Sequence, residues 1–142
     1  MSICFKIQNN VLLVILLLLI NSCEEEEKRQ GFDALVEKHK GTPFKNCEDF
    51  VIASEELAEM ILTCIDMALE GNMQKVAEMH DFFENEGDFI LFMSKEHERL
   101  SKECPVMIKE FEEKYDQIMN EKIDQLMLYM EQEKREKTTY GI

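Results

Sequence analysis

The chain lacks any apolar run long enough to cross a bilayer. Its longest, Val11 to Ile20, holds ten aliphatic residues, against the roughly 20 that a spanning helix needs. Basic residues are scarce: 16 Lys and Arg face 30 Asp and Glu, a net charge of −14. Such a charge opposes nucleic-acid phosphates and gains nothing from counterion release, and it repels an anionic lipid surface. Nucleic acid is therefore excluded as a partner, as is membrane binding through a basic patch. Catalytic motifs are missing as well: no G-x-S-x-G, no P-loop, no H-E-x-x-H, no C-x-x-C and no EF-hand loop. A di-iron bundle needs Glu-x-x-His on two helices, yet the residues three before His39, His80 and His97 are Val36, Ala77 and Ser94. C-type haem attachment would need Cys-x-x-Cys-His, also absent. The expectation is a non-enzymatic protein with no cofactor and no dedicated metal site.

Two scarcities bear on the fold. The five glycines (Gly31, Gly41, Gly71, Gly87 and Gly141) are scattered, and β-branched alternation is missing. Between the glycines the text is rich in Glu, Lys, Leu, Met and Ala, the residues that lose least on entering a helix. The fold class is therefore all-α.

What is present begins with Lys6, the only charge before the apolar run, followed by that run and then by Asn21 and Ser22. A positive start, a short apolar stretch and small residues describe an export signal over residues 1–22. The remaining residues, 23–142, carry 15 basic against 30 acidic side chains, near −15, and are one domain at most.

Ile20-Asn21-Ser22-Cys23 resembles a bacterial lipobox: an aliphatic residue at −3, a small residue at −1, then cysteine. The resemblance implies that the Cys23 thiol carries a diacylglycerol, that a peptidase cuts before it, and that the membrane is reached through covalent lipid. Cysteine is the residue for this because its thiolate is a nucleophile. Asn21 at −2 is a departure, shared with the relaxed lipoboxes of spirochaetes and Bacteroidetes. The alternative is an ordinary secretory signal cut after Ser22, with Cys23 left as a disulfide cysteine. Several acyl chains, at about 0.8 kcal/mol per buried methylene, make an essentially permanent anchor.

Glu24 to Glu27, Lys28, Arg29 and Gln30 read as an acidic tether, residues 23–30 counting the lipidated cysteine. Acidic residues in this place resemble surface-export signals in Bacteroidetes lipoproteins and inner-membrane retention signals in other bacteria. The outer membrane or cell surface is the favoured location.

The folded domain is expected over residues 31–134, with 135–142 a polar tail that frays. Phe32, Leu35 and Val36 share one side of a short helix, which Thr42-Pro43 redirects. Asn46 is a good N-cap, with Glu48 and Asp49 in the first turn. Phe50, Leu57, Ile61, Cys64 and Ala68 form the stripe of a long helix that Gly71 and Asn72 close. A second helix puts Val76, Ala77, Met79 and Phe83 inward and breaks at Asn85-Glu86-Gly87. Asp88 then caps a piece, Phe89 to Met93, expected to be the most buried part. Pro105 suits the first position of the last helix, with a stripe of Ile108, Phe111, Tyr115, Ile118, Ile123, Leu126 and Met130. "LMLYM" (Leu126 to Met130) is wider than one stripe needs, and either covers the bundle end or offers a contact to a protein partner. The architecture is an antiparallel bundle of three long helices plus a short N-terminal one, with one disulfide.

Folding about Gly71 brings the start of the first long helix near the end of the second, where Cys47 and Cys104 stand. Cys47–Cys104 is thus the expected bridge. Cys64–Cys104 is the competing pair, less suited because Cys64 lies near the opposite end of the hairpin; Cys23 joins only if it carries no lipid. Met79-His80 and Met93 with His97 are the places for a copper or haem reading. Against it, Met60, Met67, Met79, Met107, Met119 and Met130 fall on or beside apolar stripes, where methionine fills gaps. The acidic pairs Glu55-Glu56 and Glu112-Glu113 lack the ligand spacing of a calcium loop and read as solvated faces.

With lipobox, length, acidity and sparse cysteines combined, the chain resembles the small helical lipoproteins of spirochaetes, a Leptospira-type group with four mature cysteines. Cys23, Cys47, Cys64 and Cys104 carry that resemblance. It implies an envelope location and no active site.

Overall fold

The computed structural model describes residues 30–139, with side chains from 31 to 136. Five helices follow one another: α1 (Gln30–His39), α2 (Cys47–Leu69), α3 (Gln74–Asn85), α4 (Gly87–Glu103) and α5 (Pro105–Thr139). No strand occurs among the described residues. The expected export signal over residues 1–22, Cys23 and residues 24–29 of the expected tether lie outside them.

The expected bundle is present, with one difference in count. The second long helix is divided at Glu86 into α3 and α4, since Glu86 leaves helical geometry at φ −106° and ψ 32°. Its N–H bonds Phe82 O and its own carbonyl accepts from Ile90, so the break spends only one residue. Asp88 lies inside the first turn of α4 rather than capping it, and no side chain caps that end. At −1 charge near a helix N-terminus Asp88 still suits the dipole.

α2 is the axis of the fold, packing against all four other helices. Phe50, Ala53, Ile61, Ile65 and Ala68 on it are wholly inaccessible to solvent. Its start is set by Asn46, whose Oδ1 accepts from Asp49 N at 2.8 Å from an extended backbone. An Asn46→Ala variant is expected to lose about 1 kcal/mol of stability, read as a lower urea midpoint with an unchanged slope.

The far end of α2 is closed by a Schellman motif. Asn72 N bonds Met67 O, Gly71 N bonds Ala68 O, each at 2.9 Å, and Gly71 takes φ +98°, a backbone that a Cβ would strain. The α4–α5 corner follows from Pro105. Proline keeps the residue before it out of helical geometry, and Cys104 is accordingly non-helical at φ −140° and ψ 65°.

Along α5 the buried residues are Ile108, Phe111, Tyr115, Met119, Ile123 and Leu126, steps of three or four that keep the α-helical period. Ile118, expected inside, is 44% exposed, and Met119 takes its place. After Tyr115 a step of four stays on the contact line with α2, whereas a step of three leaves it. The same choice occurs on α3, where Phe82 is buried and Phe83 and Ala77 only partly so. Phe82 stacks on Phe32 of α1 with ring centroids 4.4 Å apart. Leu91, placed in the expected most-buried segment, is 53% exposed, because α4 is covered on one side only. Met107 is likewise exposed. In "LMLYM", Leu126 is buried, Met127 and Met130 pack on the core, and Leu128 faces out.

α5 also continues to Thr139, past the expected limit at residue 134. Its end has no apolar stripe, but Glu, Lys and Arg favour the helix, and Arg135 pairs with Glu131 one turn back at 3.7 Å.

Candidate functional site

Three helices leave a groove between them. α1, α2 and α3 border about 740 Å³ of open groove, with Gly31 and Phe32 of α1 and Lys75, Glu78 and Phe82 of α3 in its walls. The walls follow from the packing just described: Phe32 and Leu35 line the space from α1, while Met60 and Met67 line it from α2. Its volume is that of a small-ligand site. The rim is charged and internally paired, Lys38 with Glu56 at 2.8 Å and Lys75 with Glu78 at 2.6 Å. The hydrogen bond to Glu78 raises the pKa of Lys75.

Cys64 stands in the groove wall, 7% exposed and free. Burial first, and Glu78 second, push its thiol pKa up. A thiol held in that form is a poor nucleophile, so Cys64 packs as an inert group within the α2 stripe. The competing Cys64–Cys104 bridge is not formed. Cys47 pairs with Cys104 instead, with Cα atoms 6.6 Å apart, inside the range a disulfide spans. The bridge joins the first residue of α2 to the corner between α4 and α5.

A polar hub near that corner was not legible in the sequence. Glu96 of α4 is 7% exposed, and its Oε2 accepts from Phe44 N at 2.8 Å. Arg99 donates to both Glu96 oxygens, at 2.7 Å and 3.1 Å, and also to the Phe44 carbonyl at 2.9 Å. Arg99 and Glu96 thus hold the α1–α2 loop onto α4. The fork from Arg99 holds the Glu96 carboxyl below the usual carboxylate range, helped by Phe44 N–H and opposed by burial. The pairing raises the pKa of Arg99. The spacing of Glu96 and Arg99 signals a helical ion pair; nothing local signals Phe44.

The three histidines lie apart in the sequence and each faces carboxylate. His39 lies 3.9 Å from Glu56, yet burial and then Lys38 hold its pKa below the ordinary value. His97 Nε2 pairs with Glu112 at 2.9 Å, linking α4 to α5. His80 on α3 has Asp81 and Glu84 beside it, at 3.5 Å and 3.6 Å. The methionines next to His80 and four residues before His97 are in the core: Met79 is 1% exposed and Met93 fully enclosed. They fill gaps.

The acidic pairs are engaged by partner side chains rather than massed. Glu55 pairs with Lys114, Glu56 with Lys38, Glu112 with His97 and Glu113 with Lys109. No described helix is long and apolar enough to cross a membrane. Cys23, the residue expected to carry lipid, lies outside the described residues. No family model, curated protein or solved structure matches the chain.

Proposed function

We propose that the chain is a lipid-anchored envelope protein, similar in kind to the small spirochaetal lipoproteins, that acts by protein contact rather than by turnover. The observation that carries this reading is Cys23, which ends the apolar run directly in Ile20-Asn21-Ser22-Cys23. Residues 1–22 are the export signal, Cys23 takes the diacylglycerol, and the acidic tether holds the helical bundle off the lipid. The outer membrane or the cell surface is the proposed location. The Cys47–Cys104 bridge supports export, because disulfides persist in oxidising compartments. The groove between α1, α2 and α3 supports a contact role, as a concave surface with a largely apolar lining.

The test is the intact mass of the mature protein from its native source. The expected mass begins at Cys23 and includes a diacylglyceryl group, and it rises by two hydrogens after reduction. Palmitate labelling is expected to vanish in Cys23→Ala. An unmodified chain beginning at Cys23 overturns the anchor and leaves an ordinary secreted helical protein.

A further inference from the structure

We propose that His80 and Glu84, with Asp81 behind the ring, form a site on α3 for a divalent transition metal of the zinc class. Residues 80 and 84 are one helical turn apart and share a face. His80 Nε2 stands 3.6 Å from Glu84 Oε1, beyond hydrogen-bonding range. Two donors bonded to one zinc ion, each at about 2.0–2.1 Å in a tetrahedral shell, stand roughly 3.4 Å apart. The pair is therefore already spaced as ligands and too far apart to satisfy each other.

The buried nitrogen makes the stronger case. His80 is only 9% exposed, and its Nε2 has no hydrogen-bond partner. Buried polar atoms almost always have one, so an unpartnered nitrogen aimed at a carboxylate points to something that fits between them. The other ring nitrogen supplies the supporting half of the geometry. His80 Nδ1 lies 3.5 Å from Asp81 Oδ1, which places a carboxylate on the side of the ring from which an outer-shell group orients a metal-binding imidazole once a hydrogen bond forms there. One donor atom from each of His80, Asp81 and Glu84 can be chosen with all three within 4.8 Å of one another.

The donor set decides the ion class. Imidazole nitrogen with carboxylate oxygen suits zinc and its neighbours, whereas Cu(I) prefers thioether sulfur. The adjacent Met79 is turned into the core and leaves the site without sulfur. Asp81 and Glu84 side chains are 49% and 58% exposed, so an ion enters from solvent and water completes its shell. This proposal does not depend on the lipid anchor.

The experiment titrates the chelator-stripped mature protein with Zn(II) by calorimetry in a non-coordinating buffer, with Co(II) absorbance as the spectroscopic check. One ion per chain is expected. Glu84→Gln, an exposed change that leaves the core untouched, is expected to weaken Zn(II) binding at least tenfold. Asp81→Asn is expected to weaken it by about 10–100-fold, the usual loss on removing an outer-shell partner. Glu112→Gln, beside His97, is expected to leave binding unchanged. Absence of saturable Zn(II) binding, or unchanged affinity in Glu84→Gln, overturns the site.

Discussion

The double variant Cys47→Ala/Cys104→Ala is expected to lose about 4 kcal/mol of stability, the loop-closure entropy released when a crosslink 57 residues apart is removed. In a domain of this size that corresponds to a melting temperature lower by roughly 15–20 °C. The bridge acts mainly on the unfolded chain, so the native helices are expected to survive it. α2 still packs against every other helix, and its Asn46 cap does not involve the sulfur atoms. Far-UV circular dichroism should therefore show unchanged helix content at low temperature with an earlier cooperative melt. A fall of only a few degrees would mean that the unfolded chain is already compact between these two points.

Glu96→Ala is the second large loss, about 2–3 kcal/mol, because it removes the acceptor of a buried backbone N–H at Phe44 as well as the anion of a charged pair. Glu96→Gln is expected to cost less, since an amide oxygen can still accept from Phe44. The two variants also differ from the parent in acid. Because Arg99 and Phe44 N–H hold the Glu96 pKa below its unfolded value, the unfolded chain takes up this proton first as pH falls. The contribution of Glu96 is thus complete above the unfolded-state pKa and is lost as pH falls through the folded-state pKa. Urea melts from about pH 6 down to about pH 3 should show a shallower decline for Glu96→Gln than for the parent. Parallel declines would show that other carboxylates carry the acid sensitivity.

The hub also shows where reading along the chain stops. Glu96 and Arg99 are three apart and their pairing obeys a helical rule, but Phe44 is 52 residues away. Three other pairings are just as distant: Lys114 with Glu55, Tyr115 with Glu59 and Lys122 with Asp66 lie 56 to 59 residues apart, all between α5 and α2. His80 is the intermediate case. A carboxylate four residues on is visible in the sequence; the burial that leaves Nε2 unpartnered exists only after α3 packs.

Local chemistry determined the helices and their ends. Composition pointed to helices, Asn46 began α2, Gly71 ended it through a left-handed backbone, and Pro105 opened α5 by keeping Cys104 out of the helix. Each of these depends on a residue and its neighbours within about one turn. The Cys47–Cys104 pairing followed too, because a hairpin turning at Gly71 leaves few partners for Cys47. Tertiary structure decided which of two adjacent apolar residues is buried: Met119 over Ile118, Phe82 over Phe83, with Leu91 left outside. A side chain's direction turns by about 100° per residue, so a stripe fixes which face is apolar but not its final rotation. Only contact with α2 fixes that, and with it the groove wall, the loop clamp at Glu96 and the stranded nitrogen of His80.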